Sequence, residues 1–484
     1  MFKKSLGVFL SVFSIVLLII LLVSGVNQAF FSQDEEFTFH LVSYSFEEII
    51  LATAADVHPP LYYFLLKLFL MCFSSSLSVS IILAKVFSVI PLILLICFSF
   101  IKIRKDFDWL TVGIFLFSLV SMSKILYYFT QIRMYSYVMF FMFLSFYYCC
   151  EIIKKPNKKN WIIFTVFGLL AAYTHYYGVI AVGFLFLFLF IHIVRGNWEF
   201  FKSWVLSFIA TLLVYCPWIY FFSSSKYFYG SELGVPSFTV VFGIVGFMFS
   251  PITDVLNHNS LNIYGLILFI VVLVFLMVIL FKRKRIMAVD YGFALFVGVL
   301  FFGLIFSVLV KPIFNERYLL LVLVCFWFSF SVLLSRSYSK KKIFIPVLIV
   351  LIFVGFVNSL YFVDCKNYEF MTDLQFKNSI SNLTVNDTIV YLGPGFMVGK
   401  FKTSFHLMEN DFIIWNNNIN VSDLKERLND NQVYVFDCGD LKNTNLVIDE
   451  FNRTIIENGL RLNSLGEINR CYPAYPRHVY ALVA

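Results

Sequence analysis

Leu6 to Val26 reads LGVFLSVFSIVLLIILLVSGV, an apolar run without a single charged residue. At 1.5 Å per helical residue such a run crosses a hydrocarbon core of roughly 30 Å. Lys3 and Lys4 precede it. The run is long for a signal-peptide core and no small-residue cleavage pattern follows, so it is read as a retained anchor. Beyond it the character inverts: Phe31 to Tyr63 reads FSQDEEFTFHLVSYSFEEIILATAADVHPPLYY. A polar segment at the mouth of a membrane helix, in a chain this apolar, is where chemistry is expected.

The rest of the chain repeats the first motif. Hydrophobic residues make up 60% of the 484, charged residues 14%, and mean hydropathy is +0.84, whereas soluble domains carry about 25% charged residues. Ten further apolar runs read as spans, near Val79 to Ile101, Trp109 to Tyr127, Thr130 to Cys150, Trp161 to Tyr177, Val179 to Val194, Trp204 to Phe222, Leu261 to Phe281, Tyr291 to Lys311, Tyr318 to Leu334 and Ile343 to Val363. The expectation is therefore a mainly α, polytopic helix bundle of about 11 spans. The net charge of +8 is no nucleic-acid signature, because its Lys and Arg residues fall in short loops. Lys3/Lys4, Lys102/Arg104/Lys105, Lys154 to Lys159, Arg195/Lys202, Lys282 to Arg285 and Arg336 to Lys342 all occupy one face if the amino end is cytoplasmic, as the positive-inside bias requires. Residues 59–73 and Phe238 to Ser250 are too short to cross and are expected as helices on, or dipping into, the outer surface. With that count the carboxyl end lies outside.

Residues 1–363 thus form a membrane domain, with a first outer loop at 28–78. After Val363 the composition turns polar, and residues 364–484 alternate strand-like runs (Thr388 to Leu392, Gln432 to Phe436) with helix-like ones (Val421 to Leu428, Leu446 to Asn458). A small extracytoplasmic C-terminal α/β domain follows from that alternation. Sequons at Asn382, Asn386, Asn420 and Asn452 agree with an outside location. Cys438 and Cys471 are a possible disulfide, with Cys365 left over. No cysteine or histidine spacing indicates a metal site, and no cofactor is called for.

Candidate functional residues come from four separated places on the outer side. Asp34, Glu35 and Glu36 follow the first span, and Asp56-Val57-His58-Pro59-Pro60 closes the loop with a stiff double-proline step. Arg133, expected at the outer end of the fourth span, either snorkels to headgroups or faces a cavity. His175 marks the turn between the fifth and sixth spans, and Arg317-Tyr318 opens the tenth. Acids facing cations that could hold a phosphate describe group transfer from a lipid phosphate. A transporter or flippase of a lipid-linked or polar solute is the alternative, although no internal repeat is visible.

These residues resemble a known family. Asp34-Glu35 after the first span, followed by Asp56-Val57-His58-Pro59-Pro60-Leu61, is similar to the first outer loop of the protein O-mannosyltransferase branch of the GT-C glycosyltransferases. Tyr127 to Ser136 resembles a Tyr-Ser-Gln-Glu-Ala-Arg-Met-Tyr segment of its prokaryotic relatives, and Thr174 to Gly178 and Arg317 to Leu320 are in register with patterns there. Ile132 stands where those relatives carry Glu, and Tyr62-Tyr63 where eukaryotic members carry Gly-Lys. The resemblance covers roughly Met1 to Val363. It implies a GT-C-like membrane glycosyltransferase whose donor is an isoprenoid-phosphate sugar and whose acceptor, a glycan, lipid or protein, is extracytoplasmic. Asp34 would be the general base with Glu35 beside it. Arg133, Arg317 and Tyr318 would hold the donor phosphate, and Asp56, His58 and His175 would position loop or acceptor.

Overall fold

The structure, a computed structural model, describes residues 2–26, 33–56, 58–73, 77–224, 240–249, 287–392, 407, 410–415, 421–438, 444–468 and 476–484. The expected span near Leu261 to Phe281, Cys471 with its expected pairing, Asn420, Val57 and the Glu36 side chain lie outside the described residues. Contacts divide the chain into two units: Met1–Asn27 with Leu41–Val363, and Gln28–His40 with Asp364–Ala484. Helix Lys341–Ser379 runs unbroken over the division at Val363, so the eleventh expected span continues well past its expected end.

Among the described residues of the first unit, eight helices are long and apolar enough to cross a membrane, and a bent pair makes a ninth. The chain is a multi-pass membrane protein. Helix Lys158–Thr174, also expected to span, is shorter by a residue or more than each of these eight. Two spans form the interior: Tyr135–Lys154 is 89% buried over its apolar window and Glu316–Arg336 is 100% buried. Trp198–Ser223, only 11% buried, presents its apolar side chains outward, as a lipid-facing helix must. Helix Phe2–Val26 packs against Trp109–Ser121 through glycine. A Cβ on Gly7 would lie 2.3 Å from the Trp109 carbonyl carbon, so only glycine permits this approach.

Two expected spans differ in detail. Trp109 to Tyr127 is expected as one span, and an extended Met122 (ψ 104°) splits it into Trp109–Ser121 and Ser123–Thr130, bent by 70°. The next helix starts at Tyr135 and not Thr130. Arg133 is therefore not in a helix at all. It lies in the break, where its backbone N–H donates to the Gln131 carbonyl at 2.8 Å.

The short apolar segments are helices Leu61–Met71 and Val240–Phe249. The first begins directly after Pro60, which fits the tolerance of a helix start for proline. The second ends among the spans, with Phe249 at 1% exposure packed edge-on against Trp327 at 5.7 Å and its carbonyl accepting from Asn358.

The second unit holds a five-stranded sheet in the order β2-β1-β3-β5-β4, with β1 (Thr388–Leu392), β2 (Asp411–Ile414), β3 (Val433–Asp437), β4 (Arg461–Glu467) and β5 (His478–Val483). β1 pairs in parallel with β2 and β3, and β5 runs antiparallel to β3 and β4. β1 and β3 are buried at every position, as central strands covered on both faces should be. Ile389, Tyr391, Tyr434 and Phe436 fill one face with Phe376; Val390, Leu392, Val433 and Val435 fill the other with Leu424, Phe451 and Ile455.

Candidate active site

Five of the expected residues stand at or just before four helix N-termini. His58 precedes helix Leu61–Met71, Arg133 precedes Tyr135–Lys154, His175 caps Tyr176–Val194, and Arg317 and Tyr318 form the 3-10 turn that leads into Leu320–Arg336. The fold brings these four starts together. The His58 ring lies 5.1 Å from His175 and 6.3 Å from Tyr318, centroid to centroid, and His175 lies 4.9 Å from Tyr318 and 6.0 Å from Tyr135. Each helix start carries backbone N–H groups without an intrahelical partner and a partial positive charge. Helix starts of this kind favour anions in general.

Both histidines are buried, at 1% and 2% exposure. The Tyr177 N–H donates to His175 Nδ1 at 3.1 Å, which makes Nδ1 an acceptor and puts the imidazole proton on Nε2. That Nε2–H finds no hydrogen-bond partner among the described residues. His58 Nδ1 approaches the Asp56 carboxylate at 3.4 Å, a long contact. Burial holds His58 below the ordinary histidine range; Asp56 opposes this, and Arg133 and Arg317 add to the lowering. Burial holds His175 lower still, with His58, Arg317 and Arg133 acting in the same direction. Burial is the main cause in both, and the two arginines are close enough to add to it.

Arg133 is 3% exposed, which excludes the headgroup-snorkelling alternative for this conformation. Arg317 extends over the Tyr318 ring at 5.8 Å, and its N–H donates to the Asn315 side chain at 3.1 Å. Beside this cluster lies a cleft of about 460 Å³. His175, Tyr177 and Tyr318 line one end, Val179, Ile180, Ile219, Phe302 and Phe306 are among its apolar walls, and Lys311 carries its formal charge.

Asp34 and Glu35 belong to the other unit. They lie in the first turn of helix Gln33–Ser43, where Thr38 Oγ1 donates to the Asp34 carbonyl at 3.1 Å. Asp34 is partly exposed and Glu35 is 4% exposed. Glu35 sits within electrostatic reach of Lys366, which forms a buried ion pair with Glu369 at 2.8 Å. Among the described residues no group of three or more His, Cys, Asp or Glu is placed to hold a metal.

The sequence reading did not single out Lys311, the Tyr135 ring or Lys85. Lys85 is 4% exposed inside helix Leu77–Phe98. A lysine two turns into an apolar run was the available signal.

No protein-family model matches this chain, and no curated protein matches it. Among solved structures it is similar to ArnT from Cupriavidus metallidurans in the apo state, with a TM-score of 0.58 at 12% identity over 98% of this chain and 97% of that one. It is similar also to ArnT of the same organism bound to undecaprenyl phosphate, with a TM-score of 0.56 at 11% identity over the same shares. The likeness shows the fold, the GT-C-like bundle with a small C-terminal sheet. It lies with ArnT and lends no support to the O-mannosyltransferase branch in particular.

Proposed function

We propose that this chain is a membrane glycosyltransferase that moves a sugar from an isoprenoid-phosphate donor to an extracytoplasmic acceptor. One observation carries the reading: an apolar cleft lined by His175, Tyr318 and Lys311 adjoins a cluster of helix N-termini whose two histidines feel the charges of Arg133 and Arg317. An apolar slot with a cationic, donor-rich end matches a ligand with a hydrocarbon chain and a phosphate head. The undecaprenyl phosphate bound to ArnT, whose fold this chain shares, is a ligand of that kind.

In this reading the isoprenoid occupies the cleft. Arg133, Arg317, Lys311 and the His175 Nε2–H hold the phosphate, with Tyr318 packing beside it. Asp34 is the general base: its carboxylate takes the proton of an acceptor hydroxyl while that oxygen attacks the anomeric carbon. The bond from C1 to the phosphate oxygen breaks, and its electron pair leaves with the phosphate. Attack opposite the leaving group inverts the anomeric configuration. The leaving phosphate gains one unit of negative charge, so the cations do more here than a protonating acid would. Glu35 holds the base helix in place, and Asp56 and His58 order the loop beneath the acceptor. The amino end is cytoplasmic, and the domain 364–484 is extracytoplasmic.

The test is transfer itself. Purified chain given radiolabelled undecaprenyl-phosphate hexoses and an envelope extract should form a labelled product, and surface glycans compared by mass spectrometry with and without the protein should identify the acceptor. Vesicle uptake of the donor without covalent transfer would support a transporter instead.

A further inference from the structure

The opposite end of the bundle holds a second charged cavity that the transfer reaction does not use. It has a volume of about 580 Å³ and is lined by Lys3, Lys4, Ile101, Arg104, Lys105, Asp108, Trp109 and Leu110. Basic residues are expected at this end of a membrane protein, so their presence alone indicates nothing. Their pairing is the informative part. Lys102 pairs with Asp106 at 3.0 Å and reaches Glu151 at 3.7 Å, and Lys154 pairs with Glu151 at 2.9 Å. That half of the basic face is neutralised. Within the cavity the one acid is Asp108, and it is fully engaged: it accepts from Lys3 at 2.8 Å, from the Thr111 N–H at 2.7 Å and from the Ser335 hydroxyl at 2.9 Å. Lys4, Arg104 and Lys105 make no ion pair among the described residues.

The walls are preformed. Gly7 brings its helix against the backbone of Trp109 and Leu110, where a Cβ would sit 2.3–2.4 Å from main-chain atoms. A π-helical turn at Ser99–Ile103 precedes Arg104; Lys102 pairs with Asp106, whereas Arg104 and Lys105 line the cavity. Such turns recur at functional sites. Arg104 lies 5.2 Å over the Trp109 ring, and both side chains line the cavity. Ile101, which lines the cavity, is 72% exposed, and Phe9, Val12 and Val16 make an exposed apolar face on the helix that supplies Lys3 and Lys4.

We propose that this cavity binds the phosphate headgroup of an anionic phospholipid. Three unneutralised cations complement the phosphate, the Trp109 indole sits where interfacial aromatics sit, and the acyl chains continue along the exposed apolar face of helix Phe2–Val26. The apolar continuation favours a lipid over free phosphate. This site is independent of the transfer reaction and stands or falls apart from it.

The test measures binding of phosphatidylglycerol and phosphatidylcholine to the purified full chain by native mass spectrometry and competitive titration. Wild type should prefer phosphatidylglycerol, and K4Q/R104Q/K105Q should weaken its binding about a hundredfold, at roughly fivefold per basic residue. The comparator K155Q/K158Q/K159Q, exposed lysines with no cavity, should change it less than threefold. If the triple variant does not purify folded, R104Q alone should cost about fivefold. Equal loss in the comparator, no headgroup preference in wild type, or full displacement of the lipid by equimolar inorganic phosphate would each overturn the assignment.

Discussion

Replacing Arg133 by Gln tests the phosphate-binding end most directly. The guanidinium is 3% exposed and acts on His58, His175, Tyr62 and Tyr135, so it lies where water screens little. At an effective dielectric near 20, unit charges 4 Å apart attract by roughly 4 kcal/mol. Desolvation offsets part of that, and a hydrogen bond to a charged group nets about 1.5–3 kcal/mol. Donor binding should therefore weaken by about 10- to 150-fold. Because the phosphate gains charge as the sugar leaves, kcat should fall as well, and kcat/KM should drop about 10²–10³-fold by analogy with loss of an oxyanion donor. Arg133→Lys keeps the charge without the planar fork and should fall between. A second readout is independent of the first. Arg133 helps to hold both histidines neutral, so Arg133→Gln should move the acid limb of the pH profile to higher pH. The assay is donor titration with purified protein at several pH values, with thermal melts to confirm folding. A folded Arg133→Gln variant with the wild-type donor response would refute the phosphate role.

Asp34→Asn should abolish transfer while donor binding and membrane insertion persist; wild-type turnover would eliminate Asp34 as the base. For pH, both histidines are held below the ordinary value of about 6.5 by burial, so the unfolded chain binds more protons below that value and stability falls as pH drops through it. Protonating His175 at Nδ1 also breaks its bond from Tyr177. Melting temperature should thus decline from pH 7 to 5, and His58→Gln/His175→Gln should flatten that decline; an equal slope in the variant would contradict the assignment. Lys366→Met leaves the 2%-exposed Glu369 carboxylate without its ion pair, a change that costs about 3–5 kcal/mol. The C-terminal unit should then become protease-sensitive, and Lys366→Met/Glu369→Leu should recover, unless the pair contributes nothing.

The spans were legible because a bilayer demands uninterrupted apolar runs, and Leu6 to Val26 or Tyr318 to Leu334 could be little else. The bend at Met122 was not, since neither proline nor glycine marks Ser121-Met122-Ser123. Arg133 was misplaced into a helix because Thr130 to Met134 interrupts an apolar pattern by only three polar residues, and packing decides the break. β1 and β3 show as apolar runs, whereas β4, mostly exposed along Arg461–Glu467, has no alternation to read. The site residues were recognisable singly by their polarity before apolar runs. Their meeting was not, because His58, Arg133, His175 and Arg317 are far apart in sequence and only the tertiary fold brings their helices together. Lys311 looked like the end of a span and became informative only as the charge lining an apolar cleft.

The charge type at this site favours transfer over transport. Arg133 and Arg317 are permanent cations, whereas the two imidazoles they act on are kept neutral, chiefly by burial. A donor phosphodiester carries one negative charge, and the phosphate released on transfer approaches two. Fixed cations therefore stabilise the breaking bond more than the bound donor, which is the differential that lowers a barrier. Imidazolium groups would add attraction to the product and slow its release, so keeping them neutral limits product binding while preserving the Nε2–H of His175 as a donor. A transporter takes up and discharges the same phosphate, and gains nothing from a site tuned to a change in its charge. Neutral histidines within reach of two arginines thus fit a leaving phosphate better than a passing one.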